Sequence, residues 1–178
     1  TARKSRTARG LSASDKIGLR GGIEICLRNA LTGEDIMREK GDNTVLYIGR
    51  NQLMVRAFAT ASTTYKLQPV IMIGTGTTAA NVTDTMLKGY YSFQTGGYAS
   101  TTASDGTVQP IFAFTASWDT GALTDTQFNV LREFALYFQT QSTVSGIATG
   151  PTLCRYVSAS GINATTSNQL LLNYSVLF

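Results

Sequence analysis

Gly74-Thr75-Gly76-Thr77-Thr78-Ala79 follows the apolar run Val70-Ile71-Met72-Ile73 and fits the pattern G-x-G-x-x-A. In a dinucleotide-binding unit that pattern opens a helix whose N-terminus faces pyrophosphate, and an acid ends a second strand about twenty residues on. Here Asn81-Val82-Thr83-Asp84-Thr85 follows, which is poor helix, and no acid stands at the required distance. The plainer reading is that Gly74 and Gly76 allow a positive φ where the chain leaves a strand. The eleven acidic residues are scattered and form no evident glycosidase dyad. Glu34, Asp35, Asp119 and Asp125 sit in or near turns, where Asp commonly satisfies backbone donors. There is no histidine, so Ser–His–Asp and Cys–His pairs and His-ligated metals are excluded. Cys26 and Cys154 have no metal-ligand neighbours and read as two buried thiols in preference to a bridge. Tyr90, Tyr91, Tyr98 and Trp118 have the chemistry to floor a sugar site, but core packing is the commoner use. No catalytic residue, metal ligand or cofactor site follows from these patterns.

Cationic side chains are the second chemistry, and they are unevenly placed. Arg3, Lys4, Arg6, Arg9, Lys16 and Arg20 face Asp15 alone within residues 1–20, a net +5. The whole chain carries +4, so the remainder sums to −1. The basic character therefore belongs to an N-terminal arm, taken as residues 1–21, and not to the body, residues 22–178. The arm lacks a periodic apolar pattern and cannot bury enough surface to fold alone. Extended, its first twenty residues reach roughly 65 Å, far enough to lie on a neighbouring subunit. Contact with nucleic acid through released counterions is an alternative for it. No aromatic residue occurs before Tyr47, so base stacking is not supported there.

These residues need a scaffold, and composition indicates its class. Charged residues make up 15% of the 178-residue chain, below the usual quarter. Thr, Ser and Gly are abundant, which suits strands and turns. Strands are predicted over Ile23–Leu27, Ile36–Lys40, Val45–Ile48, Val70–Ile73, Tyr90–Phe93, Thr107–Trp118, Phe128–Phe138, Leu153–Val157 and Leu170–Phe178. Ser104-Asp105-Gly106 reads as a hairpin turn. Arg50–Ala59 is the helix candidate, with Leu53, Met54, Ala57 and Phe58 on one face. No apolar stretch is long enough to span a membrane as a helix, and no apolar leader stands at the start. The expected fold is mainly β: an antiparallel β-sandwich of about eight strands, with one short helix and an extended N-terminal arm.

Three ordered segments resemble a known family. Asp42-Asn43-Thr44-Val45-Leu46-Tyr47-Ile48-Gly49-Arg50-Asn51 resembles the "HNLVVNxGRN" segment of many tailed-bacteriophage virion proteins, with Asp42 for the His and Tyr47 for the second Asn. Residues 73–87, from Ile73-Gly74-Thr75-Gly76-Thr77-Thr78-Ala79 through Asp84-Thr85-Met86-Leu87, resemble their "GTGTTAPxxxDTxL" loop, with Ala80 for Pro. Val130-Leu131-Arg132-Glu133-Phe134-Ala135-Leu136-Tyr137 resembles their "IxExGLF" strand, with Ala135 where Gly is common. Beyond these three, the last third continues the pattern: Leu153-Cys154-Arg155 matches an "L-x-R" strand and Leu170 to Phe178 a terminal alternating strand. The resemblance spans roughly residues 22–178.

The resemblance implies a structural part of a tailed-phage particle, such as a head-surface, neck, tail, baseplate or fibre-attachment protein, that works by packing and not by catalysis. Its partners would be other virion proteins. Repetition in a particle implies a homo-oligomer, with a trimer as one form. Gly74, Gly76, Thr77, Thr78 and Asp84 are the loop residues carried over. The arm, outside the motif set, fits a peg whose Arg side chains fork onto a neighbour's carboxylates. A jelly-roll coat protein with a genome-binding arm and a sugar-binding adhesin are the competing expectations.

Overall fold

The computed structural model describes residues 19–51, 67–102, 110–123, 130–140 and 152–177. They form nine strands: β1 (Arg20–Asn29), β2 (Asp35–Val45), β3 (Leu67–Gly74), β4 (Tyr90–Thr95), β5 (Gly97–Thr102), β6 (Pro110–Trp118), β7 (Leu131–Thr140), β8 (Thr152–Ile162) and β9 (Asn168–Leu177). The hydrogen-bonded order is β4-β3-β7-β8-β2-β1-β9-β6-β5, and every pairing is antiparallel.

Two strands turn corners and fold this order into two packed faces. β2 pairs with β1 from Asp35 to Asn43, then with β8 through Thr44 and Val45. β4 and β5 are separated by Gly96 alone, yet β4 pairs with β3 and β5 with β6. Gly96 donates its N–H to Pro69 O at 2.8 Å, and a Cβ there would lie 3.3 Å from Thr115 O. One bent strand therefore spans both ends of the order, and the sheet is nearly closed. Taken as one, β4–β5 brings the count to eight, the number expected. Strands that switch sheets in this way are the usual corners of such packings.

The core follows the two-residue period of strands. Ile23, Ile25 and Leu27 of β1 face Leu170, Leu172, Tyr174 and Val176 of β9 within one inner layer. Ile71, Ile73, Phe134, Leu136 and Cys154 of the opposite sheet meet them. Trp118, fully buried, crosses between sheets and donates to Ser92 Oγ at 3.2 Å. Glu39 points inward from β2 and accepts from Tyr156 Oη at 2.5 Å and Ser158 Oγ at 2.8 Å on β8. Burial, and the Glu39 carboxylate beside it, push the Tyr156 hydroxyl up to about 12.

The sheet formed by β3, β4, β7 and β8 is buried on its outer face as well. Val70, Met72, Ala135 and Tyr137 form a second apolar cluster there with Leu87, and Phe93 packs against it. This explains why β7 reads as almost continuously apolar, since a strand covered on both faces loses its polar alternation.

Several sequence expectations shift. The strand expected over Val45–Ile48 ends at Val45, and a helix begins at residue 47. Leu46 N donates to Leu153 O, Tyr47 N to Val82 O, and Arg50 N to Leu46 O, so these donors are committed to a helix start against β8. Gly49 allows that approach, since a Cβ would stand 2.4 Å from Leu153 Cα. β2 extends well beyond Ile36–Lys40, and β5 was not anticipated. The rest of the helix, the Ser104–Gly106 turn, Asp125 and Phe128 lie outside the described residues. β1 begins at Arg20, so Arg20 and Gly21, read above as arm, stand in the first strand. Cys26 and Cys154 are both free and buried, with burial pushing the Cys154 thiol up to about 12.

Candidate functional site

Arg155 lies in the middle of β8 and its residue surface is wholly buried, on the outer side of its sheet. A guanidinium removed from water needs both charge compensation and a partner for each N–H. Both are provided. Its Nε donates to Glu133 Oε1 of β7 at 2.5 Å. One terminal nitrogen donates to Asp84 Oδ2 at 2.7 Å and Ala79 O at 3.2 Å, and the other to Thr78 O at 2.8 Å.

Glu133, equally buried, is matched from the other side. It accepts the main-chain N–H of Lys88 at 2.7 and 2.9 Å and of Gly89 at 2.8 Å. Asp84 closes its own turn by accepting Asn81 N at 2.9 Å, and it meets Lys88 Nζ at 3.3 Å. Burial works to raise the Asp84 carboxyl, but the Asn81 N–H, Lys88 and Arg155 outweigh it and hold the group below its ordinary value. Residues 75–89 are thereby stapled across the outer face of the sheet at both ends of the loop.

The glycines serve this junction. The expectation that Gly74 and Gly76 adopt positive φ is not met: among the described glycines only Gly33, Gly121 and Gly161 do so. Instead they permit close approach. A Cβ on Gly76 would lie 2.4 Å from Glu133 Oε2, and one on Gly74 would lie 2.3 Å from Gly89 O. Thr77 and Thr78 have exposed side chains, and Thr78 contributes its carbonyl. No helix opens at this turn, so the G-x-G-x-x-A match has none of the architecture of a nucleotide site.

Beside the junction lies a cleft of about 390 Å³ whose lining includes Thr44, Thr77, Arg132, Arg155 and Tyr156. Arg132 is turned to Ala159 O at 2.8 Å. The junction holds charge without offering a free nucleophile or base, because each carboxylate in it is already engaged by Arg155 and by main-chain donors. Among the described residues no group of three His, Cys, Asp or Glu is placed to hold a metal ion. No helix among them is long and apolar enough to cross a membrane.

The other sequence candidates divide. Arg3, Lys4, Arg6, Arg9 and Lys16 lie outside the described residues, and Arg20 is exposed at the start of β1. Trp118 belongs to the core, Tyr91 packs partly buried against it and Tyr90 is exposed, so these three do not make an open aromatic floor; the Tyr98 side chain lies outside the described residues. Sequence reading passed over Glu133 and Arg155 as site residues. Their signal was charge within an apolar strand: Arg155 alone in Leu153–Val157, and Glu133 beside Arg132 in Leu131–Tyr137.

Comparison with protein-family models, with curated proteins and with solved structures finds no match to this chain.

Proposed function

We propose that this chain is a structural component of a tailed-phage virion that acts by protein–protein assembly, with its basic arm ordering on a neighbouring subunit. One observation carries the reading. The segments that resemble phage virion proteins are remote in sequence yet meet in one place: Gly74, Gly76 and Asp84 of the loop, Glu133 of the strand and Arg155 of the L-x-R segment form a single junction. The Leu46–Arg50 helix start joins them through Val82 O and Leu153 O. A motif set whose members exist to pin a loop on a sheet is a structural motif, and it fits a protein that works by presenting a fixed surface.

The test is removal of residues 1–18, which stops short of β1, followed by assembly of particles from the truncated chain. The body should retain its thermal transition while incorporation into particles is lost. Normal incorporation of the truncated protein would sink the arm's role. Steep loss of nucleic-acid affinity with added salt, abolished by the same truncation, would favour the coat-protein alternative instead.

A further inference from the structure

The β1–β2 turn presents an apolar side chain where turns ordinarily carry polar ones. Leu31 is 92% exposed and Ile36, at the root of the turn, 55%. The turn is held in shape. Asn29 Oδ1 accepts the N–H groups of Leu31 at 2.9 Å and Thr32 at 3.2 Å, and Gly33 sits at φ 74°. Ala30 N donates to Ser167 O, tying the turn to the β8–β9 connection. Glu34 beside Leu31 adds an exposed carboxylate.

A second apolar surface stands at the far end of β2, about 35 Å away along the strand. There Tyr47 is 58% exposed and Val82 37%, their main chains joined by the Tyr47 N–H to Val82 O bond of 2.9 Å. The same loop presents Met86 at 56%. This surface is as firmly backed as the turn, because the buried Arg155 junction holds the loop that carries Val82 and Met86. Of its flanking cations, Lys88 is paired with Asp84 at 3.3 Å, while Arg50 is exposed and has no carboxylate partner among the described residues. At the turn Arg28 is balanced by Asp35, which leaves Glu34 as the unpaired charge, so the two ends are apolar, rigid and opposite in the sign of the charge left unpaired.

We infer that the Leu31 turn of one copy docks on the Tyr47–Val82–Met86 surface of the next, with Glu34 meeting Arg50, in head-to-tail self-association. The two contact surfaces differ, so the interface is heterologous and builds a ring or a filament according to whether the rotation closes. Rigid presentation lowers the ordering cost of the contact. The inference deepens the assembly reading and rests on it, naming a second copy of the chain as the partner.

Sedimentation velocity on the full chain and two surface variants tests it. Wild type should form concentration-dependent oligomers. Leu31→Glu and Met86→Glu should each lower the association constant about thirtyfold or more, as expected for losing a central apolar anchor, with unchanged thermal transitions. The mixture is decisive: Leu31→Glu retains an intact loop surface and Met86→Glu an intact turn, so equal parts should form a dimer and nothing larger. A mixture that stays monomeric, variants that associate like wild type, or a wild type that is monomeric throughout would each overturn the inference. Full entry of Leu31→Glu into particles would overturn it while leaving the assembly reading intact. Loss of entry only on removal of residues 1–18 would do the same.

Discussion

Arg155 is the residue on which the most depends. Replacing it with Met would leave Glu133 and Asp84 without the cation between them, and only the Lys88 ammonium at the loop's surface would still meet Asp84. Removing one partner of a buried pair typically costs about 3–5 kcal/mol, and the Arg155→Met variant should lose about that much in urea unfolding at neutral pH. Gly76→Ala tests the same junction from the side of space. The new methyl would meet Glu133 Oε2, which cannot yield because Gly89 N and Lys88 N already hold that carboxylate. Overpacking of this kind costs about 1–3 kcal/mol, and the loss should appear as a lower Tm with unchanged far-ultraviolet circular dichroism.

Acid should act through Asp84. Its folded carboxyl lies below its ordinary value, so at mildly acidic pH the unfolded chain binds the proton more readily than the folded one. The stabilisation is therefore complete above the unfolded value, about 3.9, and is lost as pH falls through the lower folded value. Asp84→Asn should reduce stability at pH 7 and flatten the dependence below about pH 4. An unaltered acid limb in that variant would show that Asp84 does not contribute. Asp35, drawn down by Arg38, then by Cys26 and Arg28, should contribute to the same limb, but it is exposed and its share is screened by salt.

At the scale of elements, the β1–β2 turn is the simplest to test. Gly33 stands at φ 74°, and a Cβ added there would meet nothing within 4 Å. Alanine there meets only backbone strain, about 1–2 kcal/mol, and Gly33→Ala should cost that amount with no change in core packing. The turn's place was legible in sequence, because Asn29 and Gly33 bracket it and β-branched and apolar runs flank it. β3, β6, β7 and β9 were legible for the same reason: alternation or an unbroken apolar run survives in Val70–Ile73, Pro110–Trp118, Leu131–Tyr137 and Leu170–Val176. The start of the helix was not. Tyr47 and Ile48 favour strand locally, and the bonds that override this preference go to Val82 and Leu153, residues remote in sequence. The junction was hidden by the same distance. Asp84, Glu133 and Arg155 were each visible as motif members, but no local pattern says that an arginine will find carboxylates 22 and 71 positions away.

For the molecule as a whole, eight antiparallel ribbons in a nearly closed order leave few exposed sheet edges, the usual liability of β-proteins. Side chains from both sheets share one core. Heating should therefore give one cooperative transition by tryptophan fluorescence and circular dichroism together. Trp118 is the single tryptophan and bonds across the sheets, so its signal reports their separation. If fluorescence changed well before backbone ellipticity, the sheets would be coming apart as independent units.

The bend at Gly96 carries a consequence for how such a body can fail. One segment acts as clasp for the whole girdle, gripping β3 with its first half and β6 with its second. A protease cut inserted at that point would leave each half paired with its own neighbour but no longer tied to the other half, so that both can peel away without the loss of a single core side chain. Two bare strand margins would then face the solvent, each shaped to accept a ribbon from another molecule. Nicked protein should accordingly run as intertwined multimers on a sizing column, where the uncut chain carrying Leu31→Glu would not.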